Sequence, residues 1–226
     1  MLAILNDDLT FTAVPTMLNA DGTVTVIISE NAILVPLRVE SEFIDIYPLV
    51  AHVQEEIELA AARKIVQGVG NSRFNPSETV RVSDAVTMFV RAMGKSADTD
   101  AEAVDGVNQN AWFAAYINTA FAAGLIEGSI NPAQPMTSIQ TAQLLAAALD
   151  VFDMRPEKTT AEINTTLQHF TDLDGLSEAQ RACLAVTVYH EIFRGHGDGR
   201  IGPSDELTRS QMASLAVRFQ NLILQG

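Results

Sequence analysis

Three stretches of the chain share one outline: FNPSETVRVSD (residues 74–84), INPAQPMTSIQ (130–140) and IGPSDELTRSQ (201–211). Each places an apolar residue two positions before a proline, continues through a polar turn, and leads into apolar residues at helical spacing. A pattern that recurs at intervals of roughly fifty to seventy residues indicates an internal repeat. We name these stretches the first, second and third turn segments.

A second helical pattern precedes each turn segment and runs into a glycine. The apolar residues before these glycines recur at the three- and four-residue spacing of one helix face. Glycine is favoured just past the end of a helix, because it adopts the left-handed conformation without a Cβ clash. The pattern therefore predicts helices that end near Gly68, Gly128 and Gly195.

These patterns divide the chain into three helical units, residues 43–95, 103–152 and 170–222. The stretches between the units are polar or acidic and read as linkers, and the second linker has room for a short helix after Pro156.

Residues 1–42 have a different composition from the helical units. LTFTAV (9–14), TVTVII (23–28) and AILVPLRV (32–39) are rich in β-branched residues, and a turn, NADG, lies between the first two. They predict a small hairpin or three-stranded β segment. A sheet of this size is not stable alone, so we expect it to pack on the helices that follow.

The charge of the chain excludes one large class of partner. The net charge is −14, and no basic footprint for nucleic acid is present. Residues 170–226 are the closest to neutral, with five basic and seven acidic residues, against two and nine in residues 96–169.

No apolar run reaches the roughly 20 residues that a membrane-spanning helix needs. The first residues lack the features of a signal peptide, so either the chain is not exported by that route or it is a mature piece.

The sequence contains no set of residues typical of an enzyme, a metal site or a cofactor loop. Its four histidines have no metal-ligand spacing, and Cys183 lies in an apolar run with no base nearby. We expect Cys183 to be a small buried side chain. We therefore predict neither catalysis nor a cofactor.

The order of the motifs resembles the S-layer homology (SLH) domain. The units open with FIDI at Phe43, AVDGV at Ala103 and FTDL at Phe170, the middle is clearest in WFAAYINTAFAAGLIEG (112–128), and the turn segments close them. The resemblance implies a mainly α fold in which three repeats form a pseudo-threefold bundle. It also implies a non-catalytic anchoring module on the surface of a bacterium, extracellular and at the cell wall. The implied partner is an anionic, peptidoglycan-linked polysaccharide, bound in grooves between repeats.

The third turn segment carries the strongest candidate for a binding residue. Thr208 with Gln211 fits a capping box, as Thr137 with Gln140 does, so these positions are expected to serve the fold. Capping does not require Arg209, and a cation is disfavoured at a helix N-terminus. In the SLH family this arginine binds the acidic polymer, for which its guanidinium fork is suited. Its removal is expected to leave the fold nearly unchanged. A solvated surface arginine is the alternative.

The first two units depart from this pattern. Val82 and Ser138 stand where Arg209 is expected, and Arg81 occupies the preceding threonine position, so that Thr79 or Ser83 would cap the helix.

The groove lined by the third unit is therefore the expected binding site. Trp112 occupies the family's tryptophan position; half-buried packing is the favoured interpretation, and stacking on a sugar ring is the alternative. The ligand-binding candidates are Arg209, Thr208, Trp112 and Arg81. The alternative function is a protein–protein or oligomerisation module, through self-association or other surface proteins, that has lost the polysaccharide.

Overall fold

The computed structural model describes residues 1–28, 31–39 and 41–226. These residues form seven α-helices and five short strands, so the fold is mainly α with a small N-terminal β segment, as the sequence predicts. The helices are α1 (Ala51–Ala62), α2 (Val82–Ala92), α3 (Ala114–Ala122), α4 (Ser138–Val151), α5 (Thr160–Leu167), α6 (Glu178–Tyr189) and α7 (Arg209–Gln225). The strands are β1 (Leu2–Leu5), β2 (Phe11–Ala13), β3 (Thr16–Leu18), β4 (Val24–Val26) and β5 (Leu34–Pro36).

The β segment consists of two small antiparallel sheets. In one sheet β1 lies between β2 and β5, and in the other β3 pairs with β4. Each of the three predicted stretches contains a strand, and the predicted NADG turn connects β3 to β4. The sequence patterns missed β1 and β3.

The β segment packs on the helices, as expected for sheets of this size. Strand β3 contacts α7, and Val14 is buried. Gly94, which follows α2, has a φ angle of +74°, and a Cβ at this position would overlap the ring of Pro15. Glycine is therefore required at residue 94 both by the backbone conformation and by the close approach of the β segment.

Each helix that follows a turn segment is packed by a helix that precedes a different turn segment. Helix α3 packs against α2, α6 against α4, and α1 against α7, while α2 also contacts α4 and α7. Helix α1 and its partner α7 stand at opposite ends of the helical sequence, so this last pairing ties the end of the domain to its beginning. The aromatic contact between Phe89 and Phe219, with ring centroids 6.0 Å apart, lies between α2 and α7.

A closed ring of three backbone hydrogen bonds joins the turn segments. The amide of Val80 donates to the carbonyl of Leu207 (2.9 Å), Leu207 donates to Met136 (2.9 Å), and Met136 donates back to Val80 (2.8 Å). All three residues are buried. Because each turn segment gives one donor and one acceptor, none of the three can leave without breaking two of the three bonds.

The same segments satisfy the first amides of the helices. The first amide of α2, at Val82, donates to Gln134, that of α4, at Ser138, to Asp205, and that of α7, at Arg209, to Glu78. The second amide of each of these helices donates to the carbonyl of a turn-segment proline: Pro132, Pro203 and Pro76 in the same order. Helix N-termini leave such amides without an intrahelical partner, and here another turn segment supplies the partner.

The predicted capping boxes at Thr137 and Thr208 are confirmed. Two more boxes begin α5 and α6, at Thr159 and Ser177, and α5 is the short helix predicted after Pro156. The prediction for α2 is wrong: its N-cap is Arg81, and no side chain caps it. Its first two amides are already bonded to the second turn segment, so this helix begins without a side-chain cap.

The predicted helix ends are also wrong. Helices α1, α3 and α6 end at Ala62, Ala122 and Tyr189, well before the three glycines. The left-handed residue after each helix is Lys64 (φ 59°), Gly124 (φ 71°) or Glu191 (φ 55°). In each case this residue and the next one donate back to the last turn of the helix, which is the Schellman arrangement.

Glycines 68 and 195 instead lie beneath aromatic rings. A Cβ at Gly68 would come within 2.8 Å of the Phe43 ring, and a Cβ at Gly195 within 2.7 Å of the Phe170 ring. These glycines allow the first aromatic residue of the unit to pack against the loop that precedes the turn segment.

Replacing Glu191 by glycine should stabilise the protein. A left-handed conformation costs an ordinary residue about 1–2 kcal/mol, and the greater chain entropy of glycine offsets part of the gain. We expect Glu191→Gly to raise the free energy of unfolding by about 0.5–1 kcal/mol, measured by urea denaturation. Gly124→Ala, at the corresponding end of α3, should lower it. A destabilised Glu191→Gly variant would contradict the Schellman interpretation.

Candidate functional site

Arg209 lies at the junction of the third turn segment and the loop that precedes the first. Its Nε donates to the carbonyl of Phe74 (2.8 Å) and its Nη2 to the carbonyl of Gln67 (2.9 Å). The central carbon of the guanidinium lies 4.7 Å from the centroid of the Phe74 ring, a cation–π distance. Its Nη1 makes no hydrogen bond within the described part of the chain. The side chain therefore holds two distant parts of the fold together.

The charge of Arg209 is partly compensated by carboxylates. Burial lowers the pKa of the guanidinium, whereas the carboxylates of Asp84, Glu78 and Asp45 act in the opposite direction. These acids counter the unfavourable position of a cation in the first turn of α7. They also weaken the attraction of Arg209 for an anionic ligand.

Thr208 is engaged in the helix cap. Its Oγ1 accepts a hydrogen bond from the amide of Gln211, and the side-chain oxygen of Gln211 accepts one from the amide of Thr208 (2.8 Å). The structure thus brings Thr208 and Arg209 together, with the threonine starting the helix from which the arginine projects.

Trp112 is exposed, with 62% of its surface accessible. Its ring contacts Phe113 edge to face, with centroids 5.6 Å apart. The favoured interpretation of half-buried packing is therefore wrong, and the face of the indole is accessible. Trp112 lies in the loop just ahead of α3.

Arg81 is exposed and lies at the N-cap of α2, where its backbone pairs with Pro135 of the second turn segment. Arg81 and Trp112 share no hydrogen bond or ring contact with Thr208 or Arg209 in the described ranges. Of the four predicted site residues, the structure groups only Thr208 and Arg209.

The groove lined by the loop of the third unit does not contain Arg209. This cleft of about 210 Å³ is lined by residues that include Arg194, His196 and Arg218. Arg218 forms an ion pair with Glu56 of α1 (2.9 Å), and His196 lies 3.3 Å from Asp205. Arg209 instead contacts the loop before the first turn segment, and the expectation that a groove lined by the third unit binds the polymer stays a prediction. The partners that were missed, Phe74 and Gln67, act through backbone carbonyls, which residue type does not reveal.

In each of the first and third units, the carboxylate of one aspartate binds the backbone amides of the turn segment. Asp45 accepts hydrogen bonds from the amides of Phe74 and Asn75 (both 2.8 Å), and Asp172 accepts from those of Ile201 and Gly202. Burial alone would raise the pKa of each carboxyl, but the backbone amides outweigh it and hold both pKa values below the ordinary value. These are the aspartates of the FIDI and FTDL motifs.

The second unit lacks this arrangement. Ala103 replaces the phenylalanine, and the exposed Asp105 accepts no hydrogen bond from the residues that the structure describes. Val104 is buried instead, and its amide donates to the Asn118 side chain (3.1 Å). The second unit keeps the helices but holds its turn by other contacts.

The described residues contain no cluster of three or more His, Cys, Asp or Glu side chains placed to hold a metal ion. Cys183 is half-buried, and burial raises the pKa of its thiol. Its Sγ lies 3.7 Å from Nη2 of Arg155. Across the described ranges, no helix combines the length and apolarity needed to cross a bilayer.

Two segments of the chain, residues 45–81 and 170–213, match the S-layer homology domain. They contain Asp45 and Asp172 with much or all of the turn segments that these carboxylates orient. The second unit, where that arrangement is missing, lies outside both matches.

The chain is also similar to three proteins of known type. They are an amylopullulanase of Thermoanaerobacterium thermosulfurigenes (26% identical), exoglucanase XynX of Acetivibrio thermocellus (24%) and the surface-layer 125 kDa protein of Lysinibacillus sphaericus (23%). The similarity covers 72%, 72% and 80% of this chain, but only 9%, 15% and 15% of those proteins. The chain thus spans a small part of the length of these relatives.

The fold and the matched segments define a module of the bacterial cell surface, associated with the cell wall. Residues 45–81 and 170–213 are the parts of the chain that belong to the S-layer homology domain family. The S-layer homology domain is a non-catalytic anchoring module.

Replacing Arg209 by alanine should destabilise the fold, contrary to the expectation from sequence. The variant loses two hydrogen bonds from a charged donor, each worth about 1.5–3 kcal/mol at most, so we expect a loss of roughly 2–3 kcal/mol in unfolding free energy. Thr137→Ala, which removes a cap elsewhere, should lose about 1 kcal/mol. Unchanged urea midpoints for Arg209→Ala would contradict the bridging role.

Replacing Asp45 by asparagine should lower stability in a pH-dependent way. The folded-state pKa of Asp45 lies below 3.8, so its ionised form stabilises the protein at neutral pH, and this contribution is lost as the pH falls through that pKa. The difference in unfolding free energy between wild type and Asp45→Asn should therefore be largest near neutral pH and should become small at acid pH. Asp105→Asn is the matched control and should show no such difference.

Proposed function

We propose that this chain is an anchoring module that holds a protein to the cell wall by binding a peptidoglycan-linked secondary cell-wall polysaccharide. The S-layer homology matches support the anchoring role, and similarity to a surface-layer protein supports the location. One structural observation carries the ligand assignment: the guanidinium of Arg209 is held by the carbonyls of Phe74 and Gln67, and its Nη1 has no hydrogen-bond partner among the described residues.

Arg209 is suited to bind an anionic sugar because it is already held in place. Its Nε and Nη2 are fixed on backbone carbonyls, so the side chain loses little conformational freedom when a ligand arrives. Its Nη1 can then donate a charge-assisted hydrogen bond to a carboxylate on the polymer. Because Asp84 and Glu78 oppose an anion nearby, we infer that a single sugar binds weakly and that affinity comes from several contacts along the chain.

The other candidate residues have separate roles in this proposal. Thr208 positions Arg209 through the cap. The exposed indole of Trp112 offers a face on which a sugar ring can stack, and Arg81 offers a second exposed cation. Since neither contacts Arg209, they would bind other units of the same polymer.

We further propose that units 43–95, 103–152 and 170–222 are related by an approximate threefold axis through the hydrogen-bonded ring. In support, each unit contributes one residue to the ring and one helix that begins on a neighbouring turn segment. Only the third unit has an arginine at the first helical position. The corresponding Val82 and Ser138 are buried, at 8% and 2% exposure, and carry no charge for an anionic ligand.

The alternative is a protein–protein or oligomerisation module with the same fold. The specific observation in its favour is that two of the three positions corresponding to Arg209 carry buried, uncharged side chains. The net charge of −14 also repels an anionic polymer at long range, although salt limits this repulsion to about 8 Å under physiological conditions.

Calorimetric titration with purified wall polysaccharide tests the proposal. We expect Arg209→Ala to weaken binding by at least about tenfold, because a charge-assisted contact is worth about 1.5–3 kcal/mol. Arg209→Lys keeps the charge but loses the fork, and should bind with intermediate affinity. Thr137→Ala also lowers stability but leaves Arg209 in place, so at a temperature where all variants are folded it should bind as wild type does.

The outcomes separate the two functions. Polysaccharide from which the pyruvyl groups, and with them their carboxylates, have been removed should bind weakly to every variant if Arg209 recognises that carboxylate. Equal affinity of wild type and Arg209→Ala would refute the site. Absence of binding by the wild type, combined with concentration-dependent association in sedimentation experiments, would favour the interaction module.

A further inference from the structure

A cleft of about 750 Å³ lies between the N-terminal β segment and the helices. Its β-segment wall includes Ala3, Phe11 and Leu37, and its helical wall includes Tyr116 of α3. Clefts of about 300–1,000 Å³ are typical of sites that enclose a small organic ligand. We name it the basic cleft, after the lysines and arginines in its lining.

The cations of the chain are concentrated around this cleft. Five of the 14 lysines and arginines line it: Arg38, Arg63, Lys64, Arg91 and Lys95. No acidic residue is among the described residues of its lining. The helical wall carries four of these cations: Arg63, Lys64, Arg91 and Lys95. None of these four forms an ion pair with a carboxylate in the described part of the chain. The lining of the cleft is therefore positively charged, although the protein as a whole has a net charge of −14.

Arg63 is the most unusual member of the group. It is 9% exposed, and its Nη1 donates to Oδ1 of Asn221 (2.7 Å), a neutral partner. Burial lowers its pKa to about 10, so the side chain is still charged at neutral pH. A buried cation is costly unless an opposite charge accompanies it, and the described residues supply no carboxylate. An anion in the cleft would supply the missing charge.

Two other members are held in position. Nε of Arg91 donates to the hydroxyl of Tyr116 (3.2 Å), and the guanidinium lies 4.8 Å from the ring centroid. Lys64 adopts the left-handed conformation after α1, where glycine would be the unstrained choice. The Lys64 side chain is exposed and lines the cleft, so its ammonium group can reach an anion bound there.

We propose that the basic cleft is a second binding site, which takes the anionic group of a carboxylated or phosphorylated sugar. Arg63 and Lys64 would neutralise the anion, while the rings of Tyr116 and Phe11 offer apolar surface to the sugar. The sugar part of this assignment rests on the proposed function, whereas the anion part rests on the cleft alone. The site is distinct from Arg209, which does not line the cleft.

The test is calorimetric titration of the full chain with three probes. Trigalacturonate carries carboxylates, glucose 6-phosphate carries a phosphate, and maltotriose is a neutral control. We expect at least one anionic probe to bind, with an affinity that falls as salt is raised, and maltotriose not to bind. A stronger response to one anionic probe identifies the source of the anion.

Lys64→Gly separates binding from folding. It removes a cation of the cleft and relieves the left-handed strain, so it should be at least as stable as wild type and bind the anionic probe about tenfold more weakly. Arg63→Met removes the buried charge, should also fold, and should bind still more weakly. Arg200→Gln, which removes an exposed cation outside the cleft, is the matched control and should bind as wild type does.

The results decide the proposal independently of the wall-polysaccharide experiment. Loss of probe binding in Lys64→Gly and Arg63→Met, but not in Arg200→Gln, supports it. Failure of the wild type to bind either anionic probe, or equal binding by all four proteins, overturns it. If wild type binds trigalacturonate but not wall polysaccharide, the basic cleft stands and the proposed function fails.

Discussion

The ring of backbone hydrogen bonds between Val80, Met136 and Leu207 is the constraint on which the rest of the domain depends. It brings three turn segments that are far apart in sequence to one place, and each segment then satisfies the first amides of a helix from another unit. Because every one of these bonds joins main-chain atoms, side chains at the helix starts are free to differ. This explains how Ser138 and Arg209 occupy corresponding positions without a change of fold.

Outside the ring, side chains hold the first and third units in a way that the second unit does not share. Asp45 and Asp172 bind the amides of their turn segments, and the rings of Phe43 and Phe170 pack on glycine loops. Ala103 cannot replace the aromatic ring, so the second unit depends on the ring of hydrogen bonds and on its helix contacts. The family matches, residues 45–81 and 170–213, lie within the two units that keep these contacts.

Cationic side chains in this protein stabilise the fold and, in our proposals, also bind ligands. Arg209 binds two backbone carbonyls that lie 135 and 142 residues before it in the chain, and in our proposal its Nη1 donates to a polymer. In the basic cleft, Arg63, Lys64, Arg91 and Lys95 form no ion pair with a described carboxylate. Residues 1–95 as a whole are acidic, with seven basic and twelve acidic residues, so an average along the sequence conceals a cationic surface formed in three dimensions.

The sequence by itself determined the mainly α class, the N-terminal β segment and the caps at Thr137 and Thr208, because these depend on local periodicity and on hydrogen bonds between residues three apart. It did not determine where the helices before the turn segments end, because a strained lysine or glutamate is tolerated once the tertiary contacts are made. The direction in which Arg209 points and the exposure of Trp112 were also decided by the tertiary structure. Both depend on backbone carbonyls and packing surfaces from distant segments, which residue identity and spacing do not encode.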